Sequence, residues 1–212
     1  MIRAHIHLLE PLGAPHLDPV SDGLDLIGQH VGGISIVGFR LIDAPVLPEG
    51  VDMDRFDYRQ LDPTVDMHIL LAKFQGLTVS EATLGLSLTG CGIAWVDSSL
   101  NRTLLRTTVS HETGHALGYV LPGSPQGIKA NSGHCSDNNC IMTAVATENP
   151  DFLRFQQSLG FSVDPRALKH AKKITDFCTP CKADMHATAE ENVDRIRRTR
   201  DFFKSVVLGR LL

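Results

Sequence analysis

The chain lacks several features that would assign it to whole classes of protein. No segment approaches the roughly 20 consecutive apolar residues that a membrane-spanning helix needs. Residues 1–15 carry Arg3, His5, His7, Glu10 and Pro11 within their one apolar stretch, which breaks the hydrophobic run of a secretory leader. There is no excess of basic charge: 20 Lys and Arg stand against 24 Asp and Glu, for a formal net charge of -4. Neither nucleic acid nor an anionic membrane surface is therefore favoured as a partner. Five cysteines in 212 residues do not make a disulfide scaffold and suit metal ligation or burial instead. Repeats and low-complexity segments are also missing. The expectation is a cytoplasmic protein without a membrane or nucleic-acid partner, its oligomeric state left open.

A 42% hydrophobic composition is enough for a substantial core, as one domain or as one domain with a smaller appended piece. Apolar periodicity predicts strands over residues 2–9 and 33–42 around a helix over 17–31, a β-α-β opening. Residues 43–63, with three prolines and six acidic residues, read as irregular connection. Further strands are predicted at 66–73 and 91–96, on either side of a Gly- and Ser-punctuated stretch, and a helix at 100–117 stopped by Gly118. A Pro/Gly/Ser/Asn-rich stretch fills 121–133. It is followed by short helical candidates at 150–159 and 165–174 and by a charged amphipathic helix over 187–207. The arginines between 195 and 200 read as its solvated face.

The chemistry begins at His111-Glu112-Thr113-Gly114-His115. Histidines four apart stack on one helical face and can grip one cation together, and Glu112 lies beside that face, placed as general base rather than as ligand. Zinc takes neutral imidazole nitrogens, and a catalytic zinc site commonly has three protein ligands with water in the fourth position. Two histidines on a surface helix would look the same, so the neighbours matter. Gly114 costs the helix about 1 kcal/mol relative to Ala, which calls for a reason such as close approach of another backbone. Gly118 sits where a sharp turn could redirect the chain toward a third ligand.

These residues resemble the metzincin clan of zinc peptidases, whose longer signature is H-E-x-x-H-x-x-G-x-x-H followed by a methionine turn. Here Leu121 stands where the clan has its third histidine, and the next histidine is His134. The reading is a loop insertion after which His134 returns to the metal, with Asp137 or Glu148 as alternatives.

His134 is followed at once by Cys135, then Cys140, Ile141 and Met142, and later by Cys178-Thr179-Pro180-Cys181. Two close cysteine pairs separated by a longer segment have the layout of a four-cysteine structural zinc site, closed and non-catalytic. A redox C-x-x-C with buried thiols is the competing reading, although no thioredoxin-like strand and helix precede Cys178. Cys91 is left over and is expected to be a buried small apolar residue.

This layout is similar to that of the archaemetzincins, a metzincin family in which the third histidine is followed by a cysteine, then C-x-M, then C-x-x-C. The resemblance covers residues 111–181. It implies a catalytic zinc on His111, His115 and His134, Glu112 as base, a methionine turn at Met142 beneath the metal, and a second, structural zinc on Cys135, Cys140, Cys178 and Cys181. The fold it implies is an α/β metzincin-like zincin: an N-terminal mixed twisted sheet with backing helices, an active-site helix, and a smaller zinc-stapled C-terminal subdomain. The division falls at residues 1–118 and 119–212. The expected function is zinc-dependent hydrolysis of peptide bonds in a peptide or protein substrate, with two zinc ions per chain.

In the clan an edge strand above the cleft binds substrate as an added strand. Residues 90–97 are the candidate here, an interior strand being the alternative. The rival functions are a zinc peptidase of another clan with an acidic third ligand, and a zinc-stabilised binding or regulatory scaffold without turnover.

Overall fold

The computed structural model describes residues 1–9, 17–42, 46–47, 50–51, 56–73, 84–119, 134–137, 139–143, 153–154, 157 and 174–208. The stretch 121–133, the candidate ligand Glu148 and almost all of the helical candidates at 150–159 and 165–174 lie outside them.

The opening unit is β1 (Ile2–Leu8), α1 (Leu17–Gly28) and β2 (Ile34–Leu41). The connection that follows holds a small hairpin of β3 (Val46–Leu47) and β4 (Gly50–Val51) and a 3-10 turn at Tyr58–Gln60, entered through Asp57, whose side chain accepts from Arg59 N. Then come β5 (Met67–Ala72), β6 (Gly85–Leu88), β7 (Ile93–Asp97), α2 (Arg102–Ala116) and α3 (Thr179–Leu208). Five strands make one mixed sheet in the order β2-β1-β5-β7-β6, all parallel except β6, which runs antiparallel to β7 at the edge. Every residue of β5 is buried, as expected for an interior strand covered on both faces.

Residues 90–97 therefore do not supply the edge: β7 is interior, between β5 and β6, and the edge is a strand that the Gly/Ser punctuation concealed. Strand parity divides the core. Ile2, Ala4 and Ile6 of β1, Met67, Ile69 and Leu71 of β5, and Ala94 and Val96 of β7 face the helices. Leu70, Ala72 and Trp95 face the other way, packed with Leu9, Phe56 and Leu61. His5, His7 and His68 lie on this second face too, by the same alternation.

The helix carrying the metal motif is fixed at both ends. Asn101 caps α2, accepting from the backbone N–H groups of Thr103 and Leu104, both at 3.1 Å. At the other end Gly118 adopts φ +83°, the left-handed conformation that glycine tolerates. The orphan carbonyls of the last turn find donors across the fold. Gly90 N reaches His115 O at 3.1 Å and Gly92 N reaches Ala116 O at 3.0 Å, while Arg195 Nη2 donates to the carbonyls of Leu117 and Gly118 at 3.2 and 3.3 Å. Arg197 pairs with the buried Asp66 at 3.1 Å.

The arginine run is thus not simply a solvated face, because α3 lies across the earlier part of the chain and two of its cations are tied to groups there. α3 also begins eight residues before the predicted start, with Pro180 in its first turn. One core cluster includes residues from both sides of position 118, among them Leu117, Cys140, Met142, Met185 and Ile196. No helix among the described residues is long and apolar enough to cross a membrane.

Candidate functional site

The last turns of α2 place His111 and His115 on one face, their Nε2 atoms 3.1 Å apart. His134 comes to the same point: its ring stacks on His111 with centroids 5.3 Å apart and meets His115 edge-on at 4.8 Å. One ligand atom from each of the three rings lies within 4.8 Å of the others. Nitrogens at zinc-bond length around a tetrahedral ion are about 3.3 Å apart, so the His111–His115 spacing fits a shared cation.

The tautomer fits as well. His111 Nδ1 lies 2.6 Å from the Ile141 carbonyl and donates to it, leaving the Nε2 lone pair for a metal, the usual partnership of a ligating histidine. Burial lowers the pKa of His111 and, with the neighbouring His111 and His134, holds His115 down to about 2, so these rings are neutral near pH 7.

Glu112 is buried on the side of α2 toward β6. A Cβ built at Gly85 would come within 2.5 Å of Glu112 Cγ and 2.9 Å of the Trp95 carbonyl, so the edge strand leaves its side-chain space to the glutamate. Burial pushes Glu112 up to about 7, opposed by a hydrogen bond from the Ser87 side chain. Ser87 and Gly85 were not singled out in the sequence. Only recognising β6 as the strand over the motif would have found them.

Gly114 also has a steric reason, though not the one expected. What approaches it is the side chain of Met142, whose Sδ and Cε would lie 2.6 and 3.0 Å from a Cβ at that position. Met142 is fully buried against α2, and its carbonyl accepts from Cys135 N at 2.7 Å. The segment that carries His134 and the residue beneath the histidines are thereby joined. Asp137 does not enter the histidine group: its Oδ1 accepts from the Asn139 backbone at 2.9 Å and side chain at 3.2 Å.

Cys135, Cys140, Cys178 and Cys181 form a second cluster, each thiol within 4.8 Å of the others and none in a disulfide. Cys135 Sγ and Cys178 Sγ are 3.7 Å apart, close to the roughly 3.8 Å between sulfurs on a tetrahedral zinc. Backbone N–H groups point at the sulfurs, from Asp137 to Cys135 at 3.4 Å and from Cys178 to Cys140 at 3.3 Å, which favours thiolate. A hydrogen bond from the Cys181 thiol holds Cys140 down to about 6; that same bond, with burial, pushes Cys181 up, and burial raises Cys135 to about 12. Cys91 is half-buried rather than buried, in the turn between β6 and β7, its thiol 3.7 Å from the Thr89 carbonyl.

The fold has solved counterparts. The chain aligns with archaemetzincin from Methanopyrus kandleri at a TM-score of 0.54 and 16% identity, over 91% of this chain and 96% of that one. The shared feature is the fold. Weaker likenesses are to a chaperone–substrate complex, at a TM-score of 0.47 and 14% identity over 92% of this chain and 35% of that one, and to myroilysin, at 0.39 and 11% identity over 88% and 92%. No family model matches the chain, and no curated protein does.

Proposed function

We propose that this protein is a zinc-dependent peptidase of archaemetzincin type. The observation that carries the reading is the convergence of His111, His115 and His134 beside a buried Glu112 packed under the edge strand β6. The three imidazoles would hold the catalytic zinc, and Cys135, Cys140, Cys178 and Cys181 a structural one that staples the C-terminal subdomain, residues 119–212. Bound at the histidines, zinc supplies Lewis acidity toward the scissile carbonyl and lowers the pKa of water toward about 7.

The remaining steps belong to the chain's own residues. Glu112 takes the proton of the attacking water and delivers it to the leaving amine, so the carboxylate must stay out of the ligand set. Gly85 and Ser87 fix where that carboxylate sits. β6 receives the substrate as an added antiparallel strand on its outer side, where no described strand pairs with it. Met142 supports the histidines from below through Gly114. Five cysteines with no disulfide among them suit a reducing compartment, which supports a cytoplasmic setting.

The experiment is Glu112→Ala assayed on unmodified peptides by mass spectrometry, with zinc measured in parallel. Cleavage should fall by about 10²–10⁴-fold while zinc content stays that of the wild type. Cleavage that persists in the variant removes Glu112 from the mechanism. An intact wild type that binds zinc and cleaves no peptide in a broad library favours the scaffold reading.

A further inference from the structure

On the sheet face away from α1 and α2, two neighbouring strands bring together a third set of imidazoles. His5 and His7 are two apart on β1 and so share a face, and His68 on β5 is the register partner of His5. One ligand atom from each ring lies within 4.8 Å of the others. His7 is fully buried, His68 nearly so and His5 half-buried.

Packing alone is a poor account of three imidazoles here, since aliphatic side chains would fill the space without taking polar nitrogens out of water. A hydrogen bond accounts for part of the cluster: His7 Nε2 and His68 Nδ1 are 2.9 Å apart. It leaves Nδ1 of His5 and Nδ1 of His7 buried with no hydrogen-bond partner among the described residues.

The cluster has the supports of a metal site. The His68 ring also hydrogen-bonds the Asp62 backbone. With Nδ1 turned to His7, that bond falls to Nε2 and leaves the Nδ1 lone pair directed into the cluster. His111 uses the mirror arrangement, Nδ1 on a carbonyl and Nε2 turned to the neighbouring imidazole. On the adjacent β2, a Cβ at Gly38 would lie 3.1 Å from His5 Nε2 and 3.3 Å from its Cδ2, so glycine keeps room for that ring. Burial lowers the pKa of all three rings, His7 to about 3 and His68 to about 4, which leaves them in the neutral form that ligates.

We propose that His5, His7 and His68 form a third metal site, binding a divalent cation of the zinc class through three imidazole nitrogens. A nitrogen-only donor set suits zinc, nickel or copper and does not suit calcium or magnesium, which require oxygens. The site joins β1 to β5, adjacent strands of the sheet that also carries β6. It lies on the opposite face from α2 and does not depend on the peptidase reading.

The test is zinc-edge anomalous scattering from crystals of the full chain grown with zinc as the sole divalent cation. The expected result is a peak among His5, His7 and His68, separate from any at His111 or at the cysteines. No peak there overturns the proposal, whatever the other clusters hold, and a peak there with none at His111 upholds it while removing the catalytic reading. In solution, His5→Ala, at the half-buried member, should bind one zinc equivalent fewer than wild type with an unchanged circular dichroism spectrum. An unchanged zinc count in that folded variant also overturns it.

Discussion

Two groups of three imidazoles, each with ligand atoms no more than 4.8 Å apart, are built on different elements and have different neighbours. One stands at the end of a helix, with a buried carboxylate beside it and an edge strand above. The other lies across two interior strands, with the 56–66 segment over the same face, and its acidic neighbour Asp62 accepts from the backbone and hydroxyl of Thr64 through its carboxylate. Ligands alone therefore do not make a reaction centre. What distinguishes the helix-borne group is Glu112, placed by Gly85 and Ser87, together with the support that Met142 gives the helix at Gly114.

The sharpest test of that contrast is Gly85→Ala. The added methyl would meet Glu112 Cγ at 2.5 Å and cannot retreat, because the Trp95 carbonyl is 2.9 Å away. The carboxylate must shift, and a displacement of about 1 Å at a catalytic group can cost about 10²-fold in rate. The expected outcome is a fall in kcat of that order with zinc content unchanged. Full activity in Gly85→Ala would mean that the position of Glu112 is not what separates the two groups.

Gly114→Ala comes next. Alanine favours the helix by about 1 kcal/mol, but its methyl would press on Met142 Sδ at 2.6 Å, and overpacking a tight core costs about 1–3 kcal/mol. Overpacking wins, so thermal or denaturant unfolding should show a net loss of about 1 kcal/mol, with zinc weakened at His111 and not at His5. A stabilised variant would show that Met142 moves aside freely and that nothing beneath α2 supports its histidines.

These effects also indicate what could be read in the sequence and what could not. The two proposed ligands and the proposed base occupy one turn of helix at 111–115, so a local spacing carries them. The parallel strands at residues 2–8, 34–41 and 67–72 were legible because buried strands are runs or alternations of apolar residues. β6 was not: Leu86 and Leu88 alternate with Gly85 and Ser87, a pattern that reads as a turn until a glutamate needs room beneath it. His7 and His68 are 61 positions apart and meet only through strand pairing, so H-x-H at the amino terminus looked like nothing more than a break in an apolar run. Arg195 was assigned to solvent for the same reason, since the carbonyls of Leu117 and Gly118 that it reaches carry no side-chain signal. For α3 there is a signal, Pro180 in the first turn, but it lies inside a C-x-x-C whose spacing equally suits a metal-binding turn.

Arg195→Met tests the less legible support of the helix-borne group. It keeps the aliphatic stem and removes the donors to Leu117 and Gly118, at 3.2 and 3.3 Å. These carbonyls are part-buried, and a hydrogen bond of this kind contributes about 1 kcal/mol net. A loss of about that size is expected, read by denaturant unfolding, with zinc at both histidine groups retained. A much larger loss would make α3 the main clamp on α2 rather than one of several.

Cys91→Ser should do least, and its small effect bears on every zinc count above. The Cys91 thiol lies 3.7 Å from the Thr89 carbonyl, and burial pushes its pKa up, outweighing the opposing pull of the Arg195 charge. A thiol kept protonated is neither a good ligand nor a reactive nucleophile, and Cys91 belongs to none of the three ligand clusters. Serine preserves both the size and a donor for Thr89, so stability should stay within about 0.5 kcal/mol and the zinc count should not change. Loss of a zinc equivalent in Cys91→Ser would mean that a ligand has been overlooked, and that zinc lost from a histidine variant can no longer be attributed to its own cluster.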